Sequence, residues 1–349
     1  MTMGPLPMMR TDLMLVSFGI FFFRTATTLS GKPAAKLPHT LQSTSFRFPH
    51  EITNEQPGPT TDLCEMSPSN AEHPVEGPSE LSRKRFEQGD LVLEYAIWRP
   101  SQAAVHASVA IHGFSRPLED MLAVRPLLSR DTAVLMPHLA AHGQSSGHHR
   151  PLDPERWYAA IDQILENEGL QFNGTLIGYS LGGRVALSWW TDQPQRFDRI
   201  VVMAPDGLVK NPGYRFSVDT AIGRAWLNQS GRQRSSLVQL LNTLRSVRVL
   251  PSHFHQFSLF HLETADMWSM VIDCWISLRK FWPSRRRIRR TAKAHPGVLE
   301  AHFGERDKVI KPQNSKALQG CSPVHFHPCG HGLLRPDIIQ RIASPSSKS

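Results

Sequence analysis

Ser180 stands in the segment Gly178–Gly182, whose pattern is Gly-x-Ser-x-Gly. The apolar residues before this segment predict a strand and those after it a helix, so the serine is expected on a sharp strand-to-helix turn. Glycines two residues away on either side leave room for that turn and let the hydroxyl project over the sheet edge. Ser180 is therefore a candidate nucleophile, and the alternative is a glycine-rich turn with an incidental serine.

A serine hydroxyl is a weak nucleophile and needs a histidine base that a third group orients. His331 follows the last predicted strand, and its position matters more than its type, because the chain has 17 histidines. In folds built around such a turn, the acid follows the serine in the chain and the histidine comes last. Asp307 fits that order, with Glu305 and Asp206 as alternative acids. We predict Ser180, Asp307 and His331 as catalytic residues.

The segment His112-Gly113-Phe114 follows another predicted strand. A glycine at this point lets the backbone turn so that the next amide can face the serine. We expect the backbone N–H groups of Leu181 and Phe114 to form an oxyanion hole, since a helix beginning at Leu181 directs free amides towards developing negative charge. His112 itself is interpreted as a structural histidine inside the loop.

The elements that would position these residues alternate between strand and helix from Arg83 onward. Strands are predicted at Leu91–Trp98, Ala107–Ile111, Ala133–Met136, Thr175–Gly178, Ile200–Met203, Val298–Phe303 and Val324–Phe326. Helices are predicted at Glu119–Arg130, Pro154–Glu168, after Ser180 through Trp190, at Pro312–Leu318 and from Leu333. This alternation predicts an α/β fold with a mostly parallel central sheet and helices on both faces.

The alternation is interrupted between two predicted core segments, 83–205 and 297–343. Helical patterns occupy the interruption at Thr220–Leu227, Ser236–Leu244 and Phe257–Leu278. About 90 residues are far more than a loop needs, so 206–296 is predicted to be a helical cap insertion. An insertion at the carboxyl edge of a parallel sheet would cover the place where such sheets bind ligands.

Residues 1–82 are predicted to be a disordered extension, because they are rich in proline and lack a sustained apolar period. The apolar run Leu13–Phe23 is too short to span a bilayer, which takes about 20 residues. It is typical of a signal-peptide core, but the cleavage pattern after it is weak. We therefore expect a cytoplasmic protein, with secretion or membrane association left open if this run is a signal.

The formal net charge is +9, from 39 basic and 30 acidic residues. Residues 278–293 alone contain eight basic residues and no acid. Because the excess is local, no nucleic-acid partner is expected. The run is interpreted either as a solvated helix at the end of the insertion or as a patch that draws acidic substrates or an anionic membrane surface towards the site. The oligomeric state stays open.

Four histidines, at positions 138, 142, 148 and 149, raise the question of a metal site. His138 and His142 are spaced as on one helix face, but the glycines and proline around them argue against a helix. We expect no metal and no cofactor. The expected partner is a small-molecule substrate.

Five segments carry a resemblance to a known family: HGF at 112–114, PHLAAHGQSS at 137–146, GYSLGG at 178–183, FGERD at 303–307 and GHG at 330–332. They stand in the order of the α/β-hydrolase family, which the chain resembles over about 83–343. The resemblance implies an α/β-hydrolase fold with a cap. It also implies a serine hydrolase that acts on a carboxylic ester, or on a related acyl or carbon–carbon bond, through an acyl-enzyme. His138 is a departure, because the family commonly has Asp there.

One branch resembles the chain more narrowly. GYSLGGRVAL at 178–187 and GERD at 304–307 are similar to the menaquinone-pathway enzymes that make 2-succinyl-6-hydroxy-2,4-cyclohexadiene-1-carboxylate by eliminating pyruvate. That resemblance implies that Arg184 holds a substrate carboxylate, and the alternative is a solvated helix residue. Tyr179 is a further candidate for substrate binding. The alternatives to a hydrolase are thus a lyase using the Ser–His pair as a base, or a non-catalytic binding protein on the same scaffold.

Overall fold

The computed structural model describes residues 79–100, 104–146, 151–209, 212–232, 234–247, 255, 259 and 262–344. In this part of the chain the strands are β1 Glu80–Gln88, β2 Leu91–Arg99, β3 His106–Ile111, β4 Ala133–Pro137, β5 Gln171–Tyr179, β6 Arg199–Met203, β7 Leu299–Gly304 and β8 Val324–His327. The α-helices are α1 Pro154–Asn167, α2 Leu181–Asp192, α3 Pro212–Asp219, α4 Ala221–Arg232, α5 Arg234–Ser246, α6 Ala265–Ser277, α7 Arg285–Ala294 and α8 Pro336–Ala343.

The eight strands form one sheet in the order β1-β2-β4-β3-β5-β6-β7-β8. Strand β2 is antiparallel to β1 and to β4, and the pairings from β4 through β8 are parallel. The predicted α/β class with a mostly parallel sheet is confirmed. The order also brings the carboxyl ends of β5, β6, β7 and β8 next to one another at one sheet edge.

The central strands carry apolar side chains that are buried on both faces of the sheet. All five residues of β4 are buried, as are four of the five residues of β6. Such continuous apolar runs are typical of parallel strands covered by helices on both sides. Strand β1 differs, because most of its side chains are exposed at the sheet edge. The packing of these buried central strands holds the carboxyl ends of β5 to β8 in place.

Several element boundaries differ from the sequence-based predictions. Strand β1 begins at Glu80, inside the segment predicted to be disordered. The helix predicted at Glu119–Arg130 is a 3₁₀ segment, Leu118–Leu127, which contains Pro126 and therefore lacks an N–H donor that an α-helix needs. The last helix begins at Pro336 and not at Leu333, because proline favours the first helical position. Pro312–Ala317 is likewise 3₁₀.

The region between β6 and β7 is helical, as predicted, and contains α3 to α7. Helix α6 begins after Thr264, whose side chain accepts the Met267 N–H at 3.1 Å. Within the predicted helix Phe257–Leu278, the described residues 259 and 262, which precede α6, are helical as well. Phe257 itself lies outside the described residues. The domain limits 206–296 stay a prediction.

Residues 1–78, which are most of the segment predicted to be disordered and include the apolar run Leu13–Phe23, lie outside the described part of the chain. Among the helices that are described, none is long and apolar enough to cross a membrane.

Candidate active site

The turn between β5 and α2 holds Ser180 in a rare backbone conformation. Its φ of 52° and ψ of −113° are unusual for any residue other than glycine. Two hydrogen bonds fix the turn: the Ser180 N–H donates to the Met203 carbonyl, and the Ser180 carbonyl accepts the Asp206 N–H, both at 2.9 Å. Strand β6 therefore holds the strained conformation in place, as is common at functional sites.

Glycines flank the serine because the backbone passes too close for side chains. A Cβ added to Gly178 would lie 2.6 Å from the Gly182 carbonyl oxygen, and one added to Gly182 would lie 2.6 Å from the His112 carbonyl oxygen. Both distances are shorter than real Cβ contacts. The crowding inferred from the sequence thus exists on both sides of Ser180.

A continuous line of hydrogen bonds joins Ser180, His331 and Asp307. The Ser180 Oγ lies 3.1 Å from His331 Nε2, and His331 Nδ1 lies 2.7 Å from Asp307 Oδ2. All three residues are buried. Since a carboxylate only accepts, the Nδ1 position carries the proton and Nε2 is left to accept from the serine hydroxyl.

Backbone amides fix the carboxylate in turn. Asp307 Oδ1 accepts the N–H groups of Val309 at 2.7 Å and Ile310 at 3.0 Å. The alternative acids are placed differently, because Glu305 is exposed and Asp206 binds other partners. The structure therefore places Asp307, and neither alternative, against the histidine.

The two residues predicted to supply oxyanion amides lie at Ser180. Leu181 is the first residue of α2, where backbone N–H groups have no partner within the helix. Phe114 is buried in the loop after β3, and a Cβ on the preceding Gly113 would lie 3.3 Å from the Ser180 Cβ. The loop after β3 thus packs directly against the serine.

Tyr179 lies beneath this site. Its side chain is fully buried, and its hydroxyl donates to the His331 carbonyl at 3.0 Å. The two rings are also close, with centroids 5.3 Å apart. In this structure Tyr179 holds the histidine loop, and substrate contact by this residue stays a prediction.

The interpretation of Arg184 as a solvated helix residue is wrong. Its relative exposure is 0 %, because almost every residue of α2 is covered by the sheet and by neighbouring helices. The guanidinium Nη1 lies 3.2 Å from Asp206 Oδ2 and 3.3 Å from the Tyr214 hydroxyl, and the group stacks 4.6 Å from the Trp282 ring centroid. Arg184 thus connects α2 to residues in the first and last parts of the helical insertion.

Burial and charge have opposite effects on the pKa values of Arg184 and Asp206. Burial raises the pKa of Asp206 above its ordinary value, although the Arg184 guanidinium opposes the rise. Burial acts to lower the pKa of Arg184, but Tyr214 and Asp206 outweigh it and the net pKa is raised. The guanidinium therefore stays charged, and it needs its partners to do so in a buried position.

Sequence reasoning missed the arrangement around His112. His138 and His142 lie in the turns after β4, outside any helix, and pack against His112. Within the described residues, no group of three or more His, Cys, Asp or Glu is arranged to hold a metal ion. The one signal in the sequence was the departure at position 138, and nothing local indicated that the three rings meet.

Helix α7, which holds most of the basic run, lies far from Ser180, whereas Trp282 earlier in the run stacks on Arg184. The basic run forms the end of a 3₁₀ turn and helix α7, whose Arg285, Arg286 and Arg287 are exposed. Arg287 pairs at 2.7 Å with Asp192, the last residue of α2, whereas Ser180 precedes the first. Twelve helical residues span about 18 Å. This position agrees with the solvated-helix interpretation and argues against a patch beside the site.

Comparison with known proteins identifies the class. A sequence model described as "Alpha/beta hydrolase family" matches residues 109–339, and the chain belongs to that family. No curated protein matches. The eight-stranded, mostly parallel sheet with its helices is the α/β-hydrolase fold, and the protein is a hydrolase of this family.

Solved structures share the fold at low sequence identity. An alpha/beta hydrolase enzyme from a Medee basin deep-sea metagenome library has a TM-score of 0.50 and 16 % identity, with 75 % of this chain and 96 % of that chain covered. A putative lipase from Acinetobacter baumannii AYE has a TM-score of 0.49 and 19 % identity, covering 76 % and 89 %. The family match over residues 109–339 establishes the superfamily, and none of the comparisons supports the narrower resemblance to the menaquinone-pathway enzymes.

Proposed function

We propose that the protein is a serine hydrolase that cleaves a carboxylic ester, or a related acyl or carbon–carbon bond, through an acyl-enzyme. The observation that supports this most directly is the line of hydrogen bonds from Ser180 Oγ through His331 to Asp307, at 3.1 Å and 2.7 Å. The rare backbone conformation of Ser180 adds to it, since such strain is typical of functional turns.

The geometry supports a two-stage reaction. His331 Nε2 takes the hydroxyl proton while Ser180 Oγ bonds to the substrate carbonyl carbon, and Asp307 stabilises the imidazolium. The Leu181 and Phe114 amides would bind the negative oxygen of the tetrahedral intermediate. As the carbonyl re-forms, the bond to the alcohol oxygen breaks and His331 returns the proton to it. Water, deprotonated by the same histidine, then releases the carboxylic acid and restores the serine.

The site's burial indicates the kind of substrate. Ser180 is 2 % exposed and His331 8 % exposed. A folded protein surface would not reach side chains so enclosed, whereas a small molecule could. A small-molecule substrate is therefore proposed.

A panel of p-nitrophenyl esters of increasing acyl length tests the proposal, with wild type, Ser180→Ala and Ser188→Ala as the proteins. Ser188 is a matched control because it is also buried on α2. We expect hydrolysis by wild type and by Ser188→Ala, and a loss of about 1,000-fold or more in Ser180→Ala. Equal hydrolysis by folded Ser180→Ala would overturn the proposal.

The lyase alternative has less support. It would require Arg184 to hold a substrate carboxylate, but this guanidinium is fully buried and its Nη1 is bound to Asp206 and Tyr214, while its Nε and Nη2 have no hydrogen-bond partner among the described residues. A trapped acyl-enzyme on Ser180 would exclude the lyase, because in that reaction the serine acts only as a base. Pyruvate release from the menaquinone precursor would instead establish it.

A further inference from the structure

Three buried histidines, His112, His138 and His142, form one cluster, here called the imidazole layer. The His112 ring centroid lies 4.9 Å from that of His138 and 5.0 Å from that of His142. Their relative exposures are 0 %, 6 % and 3 %. The layer underlies the loop that carries Phe114, and the proposed reaction does not use any of the three rings directly.

The protonation of His112 follows from its partners. Its Nδ1 lies 2.6 Å from the Gly113 carbonyl oxygen, which only accepts, so Nδ1 carries the proton. Its Nε2 is then the acceptor, and it receives the Leu139 N–H at 3.2 Å and the Nδ1–H of His138 at 2.9 Å. Burial places the pKa of His112 well below its ordinary value, so the ring is neutral.

The bond from His112 Nδ1 to the Gly113 carbonyl determines the direction of the Phe114 N–H. The Gly113 carbonyl and the Phe114 N–H belong to one planar trans peptide, in which the two groups point in opposite directions. Because His112 holds the Gly113 carbonyl, the Phe114 N–H points away from the imidazole layer. Gly113 packs against Ser180 on its other side.

His142 fixes the peptide on the far side of Phe114. Its Nε2 accepts the Ser115 N–H at 2.9 Å, while its Nδ1–H donates to the Ala140 carbonyl at 3.0 Å. Ser115 has a φ of 53°, a conformation that a serine keeps only when its surroundings hold it. Burial lowers the pKa of His142 to about 4, so Nε2 is free to accept at neutral pH.

We propose that His142 is a positioning residue for the Phe114 amide, acting together with His112. The two imidazoles hold the peptides on either side of Phe114, and so they fix the direction of the N–H that would stabilise the oxyanion. This inference rests on the proposed function, in which Phe114 supplies one of the two oxyanion amides. It assigns a role to a histidine that is not among the three predicted catalytic residues.

Two substitutions of similar polarity separate positioning from packing. In His142→Asn the side-chain amide can still donate to the Ala140 carbonyl, but it is too short to accept from Ser115. In His142→Gln the longer side chain reaches the place of Nε2 and restores the acceptor. Exposed His106→Leu serves as the control for histidine loss elsewhere, and Ser180→Ala controls for the site of reaction.

The readout is the second-order rate of labelling by a fluorophosphonate, whose reaction also develops negative charge on oxygen and needs no known substrate. Removing an oxyanion donor costs about 100- to 1,000-fold, so misdirecting one should cost roughly 10- to 100-fold. We expect that loss in His142→Asn, and rates within about threefold of wild type in His142→Gln and His106→Leu. Hydrogen exchange of the Ser115 amide should accelerate in His142→Asn only.

The outcomes distinguish this inference from the proposed function. A folded His142→Asn that labels at the wild-type rate, or a His142→Gln that loses as much as His142→Asn, overturns the positioning role. Unchanged Ser115 exchange in His142→Asn does the same, and this measurement does not depend on catalysis. Labelling that persists in Ser180→Ala would overturn the proposed function instead.

Discussion

Adding one methyl group at Gly304 should separate the two loops that bring Asp307 and His331 together. Gly304 ends β7, and a Cβ there would lie 2.8 Å from the Cys329 carbonyl oxygen, with the Gly330 carbonyl oxygen closer still. Two hydrogen bonds also join these loops, from the N–H of residue 305 to the carbonyl of 327 at 2.9 Å and from 306 to 329 at 3.0 Å. The space between the two loops is therefore too small for an added carbon.

The size of the effect follows from these distances. Carbon–oxygen contacts normally lie at about 3.3–3.6 Å, so Gly304→Ala must displace the β8 loop by about 1 Å. The Asp307–His331 distance is 2.7 Å, and a displacement of that size takes it out of hydrogen-bonding range. A misplacement of about 1 Å costs roughly 100-fold in rate. The overpacking itself should cost about 1–3 kcal/mol of stability.

Fluorophosphonate labelling and urea unfolding measure the two effects separately. Gly332→Ala is the matched control, because it lies beside His331, has no positive φ, and its Cβ would meet nothing closer than 4.0 Å. We expect Gly304→Ala to remain folded but label about 100-fold more slowly, with Gly332→Ala within about threefold of wild type. Equal rates for the two variants would refute the reasoning.

Three further predictions concern residues away from the serine. Burial lowers the pKa of His142 to about 4 in the folded protein, against about 6.5 in the unfolded chain. Its contribution to the free energy of unfolding is therefore full above pH 6.5, and about 3 kcal/mol of it is lost by pH 4. In urea unfolding, the free energy of unfolding of His142→Gln should depend less on pH than that of wild type. Arg184→Met should destabilise the protein by about 3–5 kcal/mol at pH 7 by leaving Asp206 buried without its partner, and the loss should shrink as the pH falls, because burial raises the pKa of that carboxyl and favours its protonation. Replacing Arg286 and Arg290 with Gln should leave the labelling rate and its salt dependence unchanged, because α7 lies at the far end of α2 from Ser180.

Each of these has a contrary result. A pH dependence identical in wild type and His142→Gln would mean that His142 is not a neutral buried imidazole. A loss below about 1 kcal/mol for Arg184→Met would mean that the pair is solvated in solution. A salt-dependent change in labelling for the double Gln variant would restore the steering interpretation of the basic run.

The strand-to-helix turn at Ser180 could be predicted because its requirements are local. Glycines 178 and 182 relieve crowding within a few residues of Ser180, and strand and helix patterns flank them directly. Asp307 and His331 followed from chain order, since the loops after parallel strands meet at one sheet edge. Glu305 and Asp206 could be set aside only by the structure, because the choice depends on which side chain turns towards the ring.

Features set by tertiary packing were not accessible in the same way. A charged residue on a helix is usually solvated, so the burial of Arg184 became visible only when the insertion was seen to cover α2. Strand β1 is a polar, exposed edge strand, and its composition differs little from that of a linker. The imidazole layer joins His112 to histidines 26 and 30 positions later in the chain, and its hydrogen bonds leave no periodic pattern. Pro126, in contrast, was a local signal against the helix predicted at Glu119–Arg130.

Peptide mass spectrometry after fluorophosphonate treatment tests the central claim most directly. One adduct per chain is expected, located on Ser180, and it should disappear in Ser180→Ala and be slowed about 1,000-fold or more in His331→Ala. A folded protein that takes up no adduct, or that carries the adduct on another residue, would contradict the assignment of Ser180 as the nucleophile.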